Sequence, residues 1–173
     1  MRIYEGSPRS NWEEVLRSIG AYADHEQLKE ILFLELDQGF ILQGLAPPHT
    51  GAWAEGSGML VKRTFELVED QVAQLVDEAV AQRGDTPVAD HPQLGIANYY
   101  EQALRVIGKY VDTQHPRDLF FFEQDGSFVL RLLIATPTGV GHHLAEFTRD
   151  EIVAMIDVAP QQRSATPDTP AGG

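Results

Sequence analysis

By type and spacing, the residues of this chain most suited to chemistry are two adjacent histidines, His142 and His143, followed by Glu146. Imidazole and carboxylate groups bind metals and transfer protons. If this segment is a strand, however, adjacent side chains point to opposite faces, so the two histidines cannot share a metal. His142 and Glu146 then share a face but lie about 13 Å apart, at about 3.3 Å per residue. We therefore predict neither a metal nor a cofactor.

Two glutamates, Glu35 and Glu123, form a second candidate pair, and each lies near phenylalanines in an apolar run. Paired carboxylates can catalyse acid–base reactions or hold metals. A carboxylate beside a core is costly unless it is paired, which favours a structural role. The structural hypothesis pairs Glu35 with Arg17 and Glu123 with Arg105. The catalytic alternative stays open.

Motifs that would identify an enzyme are missing. The sequence contains no P-loop, no G-x-G-x-x-G, no G-x-S-x-G and no H-E-x-x-H. It also contains no cysteine, which excludes disulfides, thiol catalysis, thiolate zinc sites and iron–sulfur clusters. The absence of these motifs favours a protein that is not an enzyme.

The chain repeats itself, and this repeat defines the elements that position the candidate residues. Residues 12–45 align without a gap onto residues 100–133, at a constant offset of 88. The identical positions in the first copy are Glu13, Leu16, Arg17, Ile19, Gly20, Tyr22, Asp24, Phe33, Glu35, Asp37, Phe40, Leu42 and Leu45. Such self-similarity predicts a duplicated architecture.

Each copy reads as helix, three strands and helix, an α-β-β-β-α unit. Ser10 or Asn11 can cap the first helix, which begins at Trp12. The hairpins are predicted at 31–36 with 40–45 and at 119–124 with 128–133, the third strands at 59–67 and 141–147, and the second helices at 69–83 and 149–159. The prediction is an α+β fold with antiparallel hairpins and pseudo-twofold symmetry. It places one domain at 1–159 (repeats 10–83 and 98–159, linker 84–97) and a disordered tail at 160–173.

One face of the predicted hairpin is kept between the copies. If Asp37 pairs with Phe40, Glu35 pairs with Leu42, and alternation puts these residues and Phe33 on the same face. All five are identical 88 residues on, whereas the other face differs at nearly every position. We expect the kept face to pack against the first helix.

The largest difference between the copies is the stretch 46–57. The offset between aligned residues falls from 88 before this stretch to 80 after it, which indicates that the first copy has about eight extra residues here. Inserted loops often carry function, and a loop tryptophan is a good contact residue. We therefore take His49, Trp53 and Glu55 as candidate binding residues. The alternative is that Trp53 folds back over a hydrophobic edge.

Composition narrows the possible partners. The chain carries 13 Lys and Arg against 26 Asp and Glu, a net charge of −13. This field repels phosphate backbones and anionic membranes, so we predict no nucleic-acid and no membrane partner. No apolar signal-peptide core is visible in the first residues, and no run approaches the roughly 20 apolar residues of a bilayer span. We expect a cytoplasmic monomer or homodimer.

Two functional hypotheses remain. The topology resembles that of small acidic secretion chaperones and of double-stranded-RNA-binding domains, and the acidity disfavours the second. The first hypothesis is a non-enzymatic protein-binding, adaptor or chaperone-like module, which uses its sheet surface or the 46–57 stretch. The alternative is a small-molecule-binding protein or weak enzyme with a site at the junction of the two repeats.

Overall fold

The computed structural model describes residues 11–48, 58–83 and 99–164. Within them lie four helices and a six-stranded antiparallel sheet, which confirms the α+β class. The elements in chain order are α1 (Trp12–His25), β1 (Lys29–Leu36), β2 (Gly39–Ala46), β3 (Val61–Val68), α2 (Glu69–Arg83), α3 (Tyr99–Gln114), β4 (Asp118–Gln124), β5 (Ser127–Thr136), β6 (Gly139–Phe147) and α4 (Arg149–Ser164).

The start of α1 is set by Asn11. Its backbone is extended, and its side chain accepts a hydrogen bond from the Glu14 N–H at 2.9 Å. Glu13 and Glu14 occupy the first turn, where the helix dipole favours negative charge. Of the two predicted caps, Asn11 is therefore confirmed, and Ser10 lies outside the described residues.

The strands form one sheet in the order β3-β2-β1-β4-β5-β6, and every neighbouring pair is antiparallel. The central pair, β1 with β4, is short: Leu32 faces Phe122, Phe33 faces Phe121 and Leu34 faces Phe120. The Phe33 and Phe121 rings stack with centroids 4.9 Å apart.

The turns correct the predicted hairpin register. In the first hairpin Leu36 pairs with Gly39 and Glu35 with Phe40, so Asp37 lies in the turn and not on the kept face. The second hairpin turns at Asp125 and Gly126, with φ of 51° and 80°. Asp-Gly suits a two-residue turn with positive φ, and this moves the register by two residues. A shift of two leaves each side chain on its predicted face.

Several predicted boundaries also differ; β1 starts at Lys29 and not at 31, and β5 ends at Thr136 and not at 133. The helix α4 continues to Ser164, five residues beyond its predicted end and into the segment predicted as tail. That extension reads Pro-Gln-Gln-Arg-Ser; Gln and Arg favour helix, whereas proline disfavours it and there is no apolar pattern, so the sequence does not predict the extension. The strand β3 starts at Val61 and not at 59, and β6 starts at Gly139 and not at 141. The linker 84–97 and residues 165–173 lie outside the described residues.

All four helices contribute to one apolar core against one face of the sheet. The kept strand residues Phe33, Phe40 and Leu42 are fully buried, as are their counterparts in β4 and β5. The Trp12 ring of α1 lies 6.5 Å from Phe33 and 6.2 Å from Phe40, between ring centroids. The expected packing of the first helix on the kept face is thus confirmed. In the described ranges, none of the helices has the length and apolar character to span a membrane.

The two central helices, α1 and α3, approach each other through glycine. A Cβ added to Gly20 would lie 2.2 Å from the Tyr100 carbonyl oxygen. One added to Gly108 would lie 2.4 Å from the Trp12 carbonyl oxygen. Both distances are far below van der Waals contact, so only glycine allows the backbones to come this close.

Candidate functional site: the open face of the sheet

Glu35, which is buried, and Glu123, which is half-buried, have structural partners across the centre of the sheet. The Leu119 N–H donates to Glu35 Oε2 at 3.0 Å, and the Ile31 N–H donates to Glu123 Oε2 at 3.3 Å. Both donors lie one residue outside the three pairs that join β1 to β4. Each carboxylate therefore satisfies a backbone N–H just beyond the central ladder.

Glu123 has a further partner in the Tyr100 hydroxyl, which donates to Oε2 at 2.5 Å. Burial raises the pKa of Glu123, while the hydrogen bonds from Tyr100 and Ile31 act in the opposite direction. Burial and the Glu123 charge together raise the pKa of Tyr100, so the phenol stays protonated and remains a donor.

The arginines pair differently from the hypothesis. Arg17 Nε lies 3.0 Å from Glu101 Oε1, and Arg105 Nη1 lies 3.5 Å from Glu13 Oε1. The predicted pairs, Arg17 with Glu35 and Arg105 with Glu123, were wrong. Because α1 and α3 lie side by side, the first-turn acid of each helix is within reach of the arginine on the other.

Asp24 and Asp112, which the sequence reasoning noted as kept but gave no role, cap the opposite helix. Asp24 accepts hydrogen bonds from the N–H groups of Tyr100 and Glu101 at 3.1 and 2.9 Å. Asp112 accepts from those of Trp12 and Glu13 at 2.8 and 3.1 Å. Burial raises the pKa of Asp24 to about 6, although these two bonds favour the ionised form. Burial also raises the pKa of Asp112.

The two histidines face opposite sides of the sheet, as predicted. His143 Nε2 lies 2.8 Å from the Tyr110 hydroxyl on the helical side, whereas His142 is exposed. Arg63, which aligns with His143 at offset 80, forms an ion pair with Glu26 at 2.7 Å. Among the described residues, no group of three or more acidic or histidine side chains is placed to hold a metal. The candidate binding residues His49, Trp53 and Glu55 lie outside the described residues.

The second face of the sheet, which we call the open face, carries side chains that alternate with the buried ones. The apolar cluster that includes residues of all four helices lies on the other face, and no described helix packs on the open face. The open face is apolar on the four inner strands, where most side chains are half-buried. These apolar residues are Leu32, Leu34, Leu36, Ile41, Leu45, Phe120, Phe122, Val129 and Leu133.

The outer strands add the most exposed apolar side chains of the described chain. Leu144 is 69% exposed, Val140 50% and Val68 47%, and all three lie on the open face. With four inner strands about 4.8 Å apart and about seven residues of each strand, the mainly apolar part of this surface covers about 400 Å², and Gln43 and Arg131 lie within it. The outer strands also place the polar side chains of Lys62, Thr64, Glu66, His142 and Glu146 on this face. Apolar patches of about 400 Å² often mark an interaction site.

On the four inner strands a cation interrupts this surface, and Lys62 lies at its β3 edge. Arg131 of β5 lies between Phe120 and Leu144 in the strand register, and its guanidinium carbon is 5.4 Å from the centroid of the Phe120 ring. The side chain is exposed and forms no ion pair within the described ranges. In the first copy the aligned residue is Gln43, so this charge belongs to one half of the face only.

No family model, no curated protein and no solved structure matches this chain.

Proposed function

We propose that this chain is a non-enzymatic protein-binding module, of an adaptor or chaperone-like kind, whose open face binds an apolar segment of another polypeptide. The observation that carries the proposal is the apolar face of the four inner strands, on which no helix of the described residues packs. Covering such a surface is favourable by roughly 25 cal/mol per Å² of apolar area before the costs of association.

The chemistry of the partner segment follows from Arg131. An exposed guanidinium within an apolar surface is best matched by a carboxylate, which can bind it in a bidentate fashion. We therefore expect the partner segment to combine apolar side chains with one acidic group. The net charge of −13 disfavours nucleic acid and anionic membranes as alternatives. In this proposal the protein acts in the cytoplasm.

We further infer that the fold is an internal duplication, with two α-β-β-β-α units in one domain and a pseudo-twofold axis beside Phe33 and Phe121. The support is reciprocity at an offset of 88. The Asp24 cap has its counterpart in the Asp112 cap. The Glu35 bond from Leu119 has its counterpart in the Glu123 bond from Ile31.

The alternative, a small-molecule site at the junction of the repeats, receives less support. The helix contact there leaves no space for a Cβ at Gly20 or Gly108. On the sheet below, the Phe33 and Phe121 rings stack directly. The described part of the junction is therefore filled by the protein itself.

Site-specific photo-crosslinking tests the proposed binding. A benzophenone amino acid is placed at Leu34, at the centre of the open face, and in a control variant at Lys109, an exposed residue of α3. In extract from the source cells, the Leu34 variant should capture a discrete polypeptide that the Lys109 variant does not. Excess unlabelled protein should suppress this capture, and the same protein with Phe120→Asp should suppress it much less.

Either of two results would contradict the proposal. The first is that neither variant captures a discrete polypeptide. The second is that both variants capture the same polypeptide equally, because contact would then not depend on the open face.

A further inference from the structure

We propose that a second copy of this chain pairs antiparallel with β6 and so extends the six-stranded sheet across two molecules. Among the strands of the described ranges, β3 and β6 have one neighbour each. An edge strand offers a row of backbone donors and acceptors that another strand can bind. This inference uses the edge of the sheet and is independent of the proposed binding by the open face.

The hairpin between β5 and β6 determines which backbone groups point outward. Thr136 pairs with Gly139 across a two-residue turn, and a pair that closes such a turn exchanges hydrogen bonds. Alternation then turns the backbone groups of Val140, His142, Leu144 and Glu146 away from β5. The free edge therefore has four consecutive outward positions.

The two edges differ in how well they resist such pairing. Natural edge strands are protected by lysine, other charges or proline. Lys62 and Arg63 give β3 this protection, whereas β6 contains no lysine, arginine or proline, and Glu146 near its end is its one carboxylate. At matched positions, β3 carries the polar Thr64 where β6 carries Leu144, which is 69% exposed.

One register makes β6 complementary to itself. If Leu144 faces Leu144 of the second copy, His142 faces Glu146 of the second copy, and the same contact occurs again on the other side of the twofold axis. A cross-strand pair of opposite character stabilises the ladder, and like charges weaken it. A register centred on His143 would instead place His142 opposite Leu144 and Val140 opposite Glu146. The Leu144-centred register therefore fits the charges best.

Analytical ultracentrifugation of the full chain tests this pairing. The wild-type protein should sediment with twice the 19.2 kDa mass of one chain at micromolar to tens of micromolar concentration. Leu144→Lys places two like charges face to face and should weaken the dimer by about tenfold or more. The matched change at the other edge, Thr64→Lys, should leave the dimer unchanged. Circular dichroism confirms that each variant is folded.

Charge exchange tests the register itself. His142→Glu alone places two carboxylates opposite one another and should weaken the dimer. Glu146→Lys alone removes the carboxylate that faces His142 and should also weaken it. The double variant restores opposite charges and should restore dimerisation. Any of three results would overturn the proposal. The first is a wild type that is monomeric. The second is a dimer that is broken by Thr64→Lys and not by Leu144→Lys. The third is a double variant that dimerises no better than the single variants.

Discussion

The close contact of α1 with α3 makes an unusual prediction for Gly20→Ala. In an exposed helix, replacing glycine with alanine stabilises by about 1 kcal/mol, because alanine has the higher helix propensity. Here the new Cβ would lie 2.2 Å from the Tyr100 carbonyl oxygen. That atom belongs to the backbone and cannot move away as the end of a flexible side chain can. The sign of the effect should therefore reverse.

The size of the effect follows from the separation that is required. To reach an ordinary contact of at least 3.4 Å, the two helices must move apart by more than 1 Å at this point. Overpacking of this kind costs about 1–3 kcal/mol. The movement also stretches the bonds from Tyr100 and Glu101 to Asp24, which lie next to the contact. We expect a net loss of about 2 kcal/mol, which lowers Tm by about 4–8 °C in a chain of this length.

Urea and thermal unfolding measure this loss directly. Gly108→Ala should behave like Gly20→Ala, since its Cβ would lie 2.4 Å from the Trp12 carbonyl oxygen. Gly58→Ala is the control: its φ of +66° costs about 1 kcal/mol, but its Cβ would meet nothing within 4 Å. An unchanged or raised Tm for Gly20→Ala would refute the reasoning that the helices touch here.

Three further predictions concern the buried polar groups. The pKa of Asp24 is about 6 in the folded protein and about 3.9 when unfolded, so its ionised form costs stability above pH 6, and this cost fades as the pH falls through 6 towards 4. In urea unfolding between pH 5 and 7, the stability of the wild type relative to Asp24→Asn should therefore rise as the pH falls. A difference that stays constant with pH would contradict this. Tyr100→Phe removes a hydrogen-bond donor to half-buried Glu123 and should lower the free energy of unfolding by about 1–3 kcal/mol at pH 7 in the same assay. An unchanged free energy of unfolding would contradict this. A double-mutant cycle of Arg17→Met with Glu101→Gln should give a coupling energy of at least 0.5 kcal/mol, roughly, because both side chains are largely shielded from water, and zero coupling would show that the pair contributes nothing.

The elements of this fold could be predicted from periodicity and from the repeat. The helix over Glu69–Arg83 lies where its acids and apolar spacing place it. The kept face of the hairpin could be predicted because alternation is insensitive to a register shift of two residues. The pairing at the turn could not, since Asp37 was expected to pair with Phe40, whereas Glu35 pairs with Phe40 and Asp37 lies in the turn.

The partners of the kept residues could not be predicted. An alignment of the two copies shows that Arg17 and Glu101 are both kept, but it does not show that one copy supplies the partner of the other. Asp24 illustrates the same point, because its hydrogen-bond donors lie 76 and 77 residues away. Such contacts depend on how α1 and α3 pack, which is a property of the tertiary structure.

The open face was predicted only as a sheet surface that a partner could contact. The apolar residues Leu32, Leu34 and Leu36 alternate with the buried Phe33 and Glu35, so β1 reads as a strand buried on both sides. Only the placement of the helices shows that none of those described covers this side of the sheet. The residues selected from the sequence, His49, Trp53 and Glu55, remain a prediction.

Methyl NMR tests the central claim most directly. A synthetic peptide of the segment captured by the Leu34 crosslink is titrated into protein with labelled isoleucine, leucine and valine methyl groups. We predict that the shifts change at Leu32, Leu34 and Ile41 on the open face and stay constant at Leu16 and Ile19 in the helical core. Changes confined to the helical side, or no saturable change at the open face, would contradict the claim that this face binds polypeptide.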